Sequence, residues 1–195
     1  PKFFSLIIPY MFNNERDKMK EIIKGKKHIL LGRDESGPYR REHYGLDFQF
    51  NDGGRKFAGY KGFTGDCVCR ATAIATGISY EILYDELTVR TKEWRMNSNS
   101  RQAYFAKPKD DSPRQGVPMK ILRTYLKDHG WTWVPKMFIG SGCKFHLRQG
   151  ELPINKSLIV QVSGHITSVV NGVLNDTYDC SRDGTRCVYG YYYKE

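Results

Sequence analysis

Cys67 lies in Gly65-Asp66-Cys67-Val68-Cys69-Arg70-Ala71, where a glycine-bearing loop turns directly into a predicted helix. A thiol at a helix N-terminus is biased toward thiolate by the helix dipole and by the unpaired N–H groups of the first turn. About a hundred residues later the chain offers Gly164-His165-Ile166-Thr167, a predicted strand start, followed by Asp176. An imidazole and a carboxylate are the groups that turn such a thiol into a nucleophile, the imidazole as base and then acid, the carboxylate holding its tautomer. Cys69 is a rival nucleophile, but it sits two residues further into the helix, about 200° around the axis from Cys67.

These three residues need a helix and a pair of strands to hold them. Asp66 is a natural N-cap, Cys67–Thr76 is rich in Ala and Ile, and Gly77 is placed to end the helix. The lack of charge after Arg70 predicts a helix buried nearly all round. A second helix is expected from Ser79 to about Trp94, with Ile82, Leu83 and Leu87 at helical spacing, and then a long polar loop over 95–116. Pro118 suits the first turn of a third helix, with Ile121, Leu122, Tyr125 and Leu126 inward and Gly130 past its end. Beyond this the periodicity becomes that of strands: Trp131–Val134, Ser157–Val162, then His165–Val170 and Val173–Tyr178 around Asn171-Gly172. A second hairpin is expected, Asp179–Arg182 and Thr185–Tyr189 around Asp183-Gly184. Helices first and an antiparallel sheet second make an α+β domain over 59–195. Residues 1–58 read as an N-terminal extension packed on it, with a short helix over Glu15–Lys24, a short strand at Ile29–Leu31, a strand-like Leu46–Phe50 and a turn at Asn51–Gly54.

The Asn-Gly turn allows the triad to be tested by register. With Asn171 and Gly172 as the turn residues, Val170 pairs with Val173, Val169 with Leu174, Ser168 with Asn175 and Thr167 with Asp176. His165, Asp176 and Tyr178 then share a face, and Asp176 is diagonal to His165, within side-chain reach. Asn175 and Asp179 fall on the other face. A slip of one residue would reverse this assignment.

Composition bounds the rest. The chain has 195 residues, enough for a sizeable core, and at 39% hydrophobic and 27% charged it reads as globular. No apolar run reaches the ~20 residues of a membrane span, and Phe3–Ile8 is a poor signal peptide because Pro9 interrupts it. A cytoplasmic protein without a membrane partner is expected. Five cysteines, an odd number, argue against a secreted disulfide framework. The net charge of +10 concentrates in residues 101–150, with ten Lys or Arg against three acids. That face suits nucleic acid or an acidic protein partner, or is merely solvated.

The order Cys67, His165, Asp176 resembles that of papain-like cysteine peptidases, over roughly residues 59–178. More closely, Asp52-Gly53-Gly54-Arg55, Gly65-Asp66-Cys67, Arg70-Ala71, Asp176-Thr177, Ser181–Arg186 and Val188-Tyr189-Gly190-Tyr191 resemble a group of uncharacterised bacterial and bacteriophage proteins. The resemblance implies a papain-like fold with leading helices packed on an antiparallel sheet, and a Cys67–His165–Asp176 triad. It also implies a thiol hydrolase cleaving a peptide, isopeptide or related amide of a polypeptide substrate without cofactor or metal, in a bacterial host cytoplasm or virion. The alternative is the same fold with its triad idle, serving as a structural or RNA-contacting part of a virion or ribonucleoprotein. Two departures stand out. Gly59–Asp66 lacks the Gln or Asn that papain-like peptidases place before the Cys, and Asp66 sets a carboxylate beside the thiol.

Other groupings are weaker. The second hairpin would put Cys180 opposite Cys187, as free thiols in a reducing cytosol, a disulfide or part of a metal site. Zinc would recruit Cys143 and His146, at spacings that match no standard zinc pattern. Gly140–Lys144 reads as an ordinary glycine-rich loop, and the C-terminal tyrosines as edge-strand packing or base-stacking surfaces.

Overall fold

A computed structural model describes residues 45–62 and 64–195. All of them fall in the second of two compact units into which the chain divides, His43–Glu195. The helix expected over Glu15–Lys24 and the strand at Ile29–Leu31 lie outside the described residues.

The described chain is α+β. It runs β1 (Asp47–Phe50), α1 (Cys67–Thr76), α2 (Tyr80–Asn97), the short α3 (Arg101–Phe105), two 3₁₀ turns, α4 (Met119–Asp128), β2 (Thr132–Pro135), β3 (Ser157–Val162), β4 (His165–Val170), β5 (Val173–Asp176) and β6 (Val188–Tyr193). The six strands form one sheet in the order β1-β5-β4-β3-β6-β2. The sheet is mixed rather than wholly antiparallel, because β1 lies parallel to β5. The direction of β1 goes with a contact distant in sequence. The Asn51 N–H donates to the Asp176 carbonyl at 2.9 Å, so the chain leaves β1 at the Asp176 end and its next turn meets α1.

That turn depends on Gly53. Its φ is +66°, and a Cβ there would stand 2.8 Å from the Arg70 carbonyl oxygen and 3.2 Å from the Ala73 Cβ. A side chain would push the turn off the helix, in a backbone conformation that L-residues disfavour. Gly53→Ala is expected to destabilise the protein by about 1–3 kcal/mol, through overpacking plus the left-handed φ. Urea unfolding measures this directly; a change below about 0.5 kcal/mol would mean that the turn yields freely.

Helix α1 spans the predicted residues, although the Asp66 side chain before it makes no capping hydrogen bond. Gly77 is left-handed at φ 73° and returns its N–H to the Ala73 carbonyl, while Val68 through Ala73 are all buried. Ser79 caps α2 by accepting from the Ile82 N–H, and α2 runs three residues past Trp94. The stretch 95–116 is more ordered than the expected loop. It carries α3 and the two 3₁₀ turns, tied down by Arg95 bidentate on Asp111 at 2.7 and 2.8 Å and by Tyr84 Oη to Ser112 Oγ at 2.8 Å.

Strand β3 divides the core, because successive residues point to opposite faces. Ile159 joins Val68, Leu83, Leu122, Tyr125 and Ile166 in the cluster containing the helices. Leu158, Val160 and Val162 join Leu147, Leu174 and Val188 in the other. The β4–β5 register follows the Asn-Gly turn as expected: Val170 with Val173, Val169 with Leu174 and Ser168 with Asn175. Asn171 and Gly172 take the positive φ values, 51° and 80°, that such a turn requires.

The second expected hairpin does not form. Arg182, Asp183 and Gly184 are all left-handed, at φ 54°, 53° and 76°, which two strands joined by a two-residue turn cannot accommodate. The Arg186 N–H instead closes onto the Ser181 carbonyl at 2.9 Å. The Cys180–Cys187 pairing therefore fails, and Cys187 is bonded to Cys143, with their Cα atoms 5.8 Å apart.

Candidate active site

Cys67 is the first residue of α1, half-buried, so its thiol sits at the mouth of the helix. His165 opens β4 and Asp176 closes β5. His165 Nε2 and Asp176 Oδ2 are 2.7 Å apart, the diagonal contact that the hairpin register predicts. Asp176 is buried, and its Oδ1 also accepts the Thr177 N–H at 2.7 Å, which turns the chain away and ends β5 two residues before the expected limit. Tyr178 lies against the imidazole, with ring centroids 5.4 Å apart.

Cys67 and His165 line one cleft, and the imidazole and the Ile166 backbone are near enough to the thiol to act on its ionisation. Burial opposes ionisation of this thiol, yet those two neighbours, with the charges of His165 and Arg70, hold its pKa below the ordinary value. For His165 the balance is opposite. Burial disfavours the cation, but the hydrogen bond with Asp176, the nearby Cys180 and Cys67 sulfurs and the Asp176 charge raise its pKa far above the usual imidazole range. Asp176 is held low despite its burial, chiefly by the bond to His165. The three shifts together favour a thiolate–imidazolium pair. Cys69 goes the other way: burial pushes its thiol up to about 12, and it is fully enclosed against the Tyr80 carbonyl.

The carboxylate of Asp66 does not face the thiol uncompensated, nor does it cap the helix, for its side chain makes no capping hydrogen bond. It is completely buried and turned onto cations: Arg70 pairs with Oδ1, Arg55 Nε lies 3.1 Å from Oδ2, and the Tyr80 hydroxyl donates to Oδ2 at 2.6 Å. Arg70 continues the chain of charges, with its other guanidinium nitrogen 3.4 Å from Asp176 Oδ1. A buried network thus runs Arg55–Asp66–Arg70–Asp176–His165. The position of Arg70, the one charge on an apolar helix and four residues after Asp66, was the available signal for it.

Two further residues escaped the sequence reading. Cys180, expected beside Cys187, is buried with its sulfur within 4.8 Å of ligand atoms of both His165 and Asp176. Gln161, on β3, lines the cleft that holds Cys67 and His165, a space of about 300 Å³ bordered also by Gly65, Val117, Met119 and Tyr189. The buried Gln161 Oε1 has no hydrogen-bond partner among the described residues. No signal in the sequence marked either residue, since their neighbours come from other elements.

The pKa directions carry a pH prediction. Alkylation of Cys67 by iodoacetamide is expected to reach half its maximal rate below the roughly 8.5 of a free cysteine. The rate should stay flat above that point, because the thiolate is then already formed, and fall as pH drops and the sulfur takes up a proton. Mass spectrometry of the peptides reads the site: modification at Cys67, with Cys69 protected until the chain unfolds. A midpoint at or above that of a free thiol would show that no ion pair exists.

No helix among the described residues is long and apolar enough to cross a membrane. Compared with protein-family models, curated proteins and solved structures, the chain matches none.

Proposed function

We propose that the protein is a papain-like thiol hydrolase that cleaves an amide of a polypeptide substrate through Cys67, His165 and Asp176. The observation that supports this reading is the imidazole of His165, held by Asp176 at 2.7 Å through Nε2 in the cleft that Cys67 also lines. The cleft beside them gives a scissile carbonyl access to the sulfur.

In this reading the Cys67 thiolate attacks the carbonyl carbon, and its electron pair forms the C–S bond as the π pair moves to oxygen. The resulting oxyanion is met by the Cys67 N–H, free at the start of α1, and by the side-chain amide of Gln161. Gln161 thereby takes the place of the amide residue missing before Cys67. As the C–N bond breaks, the imidazolium gives its proton to the leaving nitrogen, and a thioester remains on Cys67. Water then attacks the thioester with His165 as base, the acid product leaves, and the proton returns to the ring. Asp176 keeps the ring oriented and supports its charge throughout. The Arg55–Asp66–Arg70 chain holds Asp176 in place and neutralises the carboxylate next to the nucleophile.

A thiol-reactive amide probe tests the assignment. Wild type is expected to label at Cys67, with Cys67→Ala unlabelled. Equal labelling at Cys69, or none on the folded wild type, would overturn the proposal. The second of these results, together with RNA binding that weakens steeply with salt, is the outcome expected of an idle scaffold bearing the basic 101–150 stretch.

A further inference from the structure

A second cluster of metal-ligating side chains lies apart from the cleft, where the segment around His146 meets the start of β6. The backbone there is paired: His146 and Cys187 form an antiparallel bridge, the Leu147 N–H donates to the Arg186 carbonyl at 2.8 Å and the Val188 N–H to the Phe145 carbonyl at 2.9 Å. Directly opposed residues of such a bridge project to the same side. Cys143 comes to the same place from three residues upstream, so one arm supplies a Cys-x₂-His pair and the other supplies Cys187. Ligand atoms of Cys143, His146 and Cys187 all lie within 4.8 Å of one another. Cys143 is exposed and the other two half-buried, so solvent and ions reach them.

The surroundings of His146 point to a ligand rather than to a covalent pair alone. A disulfide needs no imidazole, yet His146 is held as metal-binding histidines are. Its Nδ1 faces Glu151 Oε1 at 3.4 Å, its backbone N–H donates to Glu151 Oε2, and Glu151 is itself fixed by Arg148. A carboxylate on one ring nitrogen sets the tautomer and leaves the other, Nε2, as the electron-pair donor. Two sulfurs and one imidazole form a soft-to-borderline donor set, suited to Zn²⁺ in tetrahedral coordination with solvent as fourth ligand.

We propose that, when Cys143 and Cys187 are reduced, they and His146 bind one Zn²⁺, so that this site alternates between a disulfide and a metal-bridged form. A small-molecule disulfide re-forms the S–S bond from the two thiols, itself becoming two thiols, and a phosphine opens that bond in vitro. The phosphine reduces the S–S bond to two thiols, taking its oxygen from water to become the phosphine oxide. Each thiol then gives up its proton as the thiolate binds the ion. Either form clips the segment around residues 143–147 to the start of β6. Residue Tyr189, two positions beyond Cys187, borders the cleft, which places this clip next to its wall.

The test uses the full chain, reduced with a phosphine, freed of metal and titrated with Co²⁺ and then Zn²⁺. We expect one Co²⁺ per chain with thiolate-to-cobalt charge-transfer absorption, displaced by one Zn²⁺, and no such binding by the oxidised chain. Cys143→Ser and Cys187→Ser should each abolish the signal, and Glu151→Gln, which leaves all three ligands in place, should weaken binding about 10–100-fold. Cys180→Ser and Cys67→Ala should bind as wild type does. Absence of stoichiometric binding by the reduced wild type would overturn the proposal. So would a signal kept in Cys143→Ser and lost in Cys180→Ser, which would place the ion at His165 and Asp176. The readout does not involve hydrolysis, so it stands or fails independently of the activity proposed for Cys67.

Discussion

His165→Ala is expected to lower the rate at which Cys67 is acylated by about 10²–10⁴-fold, the range that a positioned acid–base group contributes. Two effects combine in this number. Removing the imidazole takes away the neighbour whose influence and positive charge oppose burial at Cys67, so its thiol pKa should climb and the thiolate fraction at neutral pH should fall. In the proposed mechanism it also removes the proton donor for the leaving nitrogen. Asp176→Asn separates the two. The ring keeps a neighbour that can hydrogen-bond but loses the carboxylate charge that raises its pKa, so the imidazolium is less stable and acylation slows while Cys67 remains accessible. In the pH profile, the alkylation midpoint of Cys67 should move upward in both variants. Acylation in His165→Ala within about threefold of wild type would sink the assignment, whatever the structure of the cleft.

Arg70→Met should bring the largest loss of stability, about 3–5 kcal/mol, because it leaves buried carboxylates short of a partner. The guanidinium pairs with Asp66 and reaches Asp176 at 3.4 Å, and the side chains of all three are almost wholly shielded from water. Methionine retains the apolar stem, so the change isolates the charge rather than the packing. Urea unfolding should show a lower midpoint with an unchanged slope. Adding Asp66→Asn to Arg70→Met should recover part of the loss, as expected for residues in one network. The pH dependence has a definite sign. The Asp176 pKa is depressed in the folded chain, so its contribution is present above the ordinary carboxylate value of about 4 and is lost as pH falls through the folded value. The His165 pKa is raised, so its contribution is complete below about 6.5 and shrinks as pH rises toward the folded value. Stability of wild type should therefore fall on acidification below about pH 4. A loss under about 1 kcal/mol in Arg70→Met would show that solvent reaches the network.

Where the sequence reading held and where it failed follows the range of the interactions. Gly77 ending α1, Ser79 capping α2 and the inward stripe of α4 depend on residues within a turn or two of one another. The β4–β5 register is equally local, because Asn171-Gly172 counts the pairs outward and so places Asp176 diagonal to His165. The second hairpin failed because Arg182 adds a further left-handed residue ahead of Asp183-Gly184, and no alternation in the flanking residues records that. With it went the register that set Cys180 beside Cys187.

Residue types and spacing alone therefore determined a thiol at a helix start and an imidazole–carboxylate pair on one hairpin, since periodicity and turn chemistry act over a few residues. Only the tertiary structure decided that β1 runs parallel to β5, that Arg55 and Arg70 neutralise Asp66, that Cys180 lies by His165 and that Cys187 meets Cys143. Local pattern tells which face a side chain occupies. Which distant segment covers that face is settled by packing the whole core and pairing every buried charge at once.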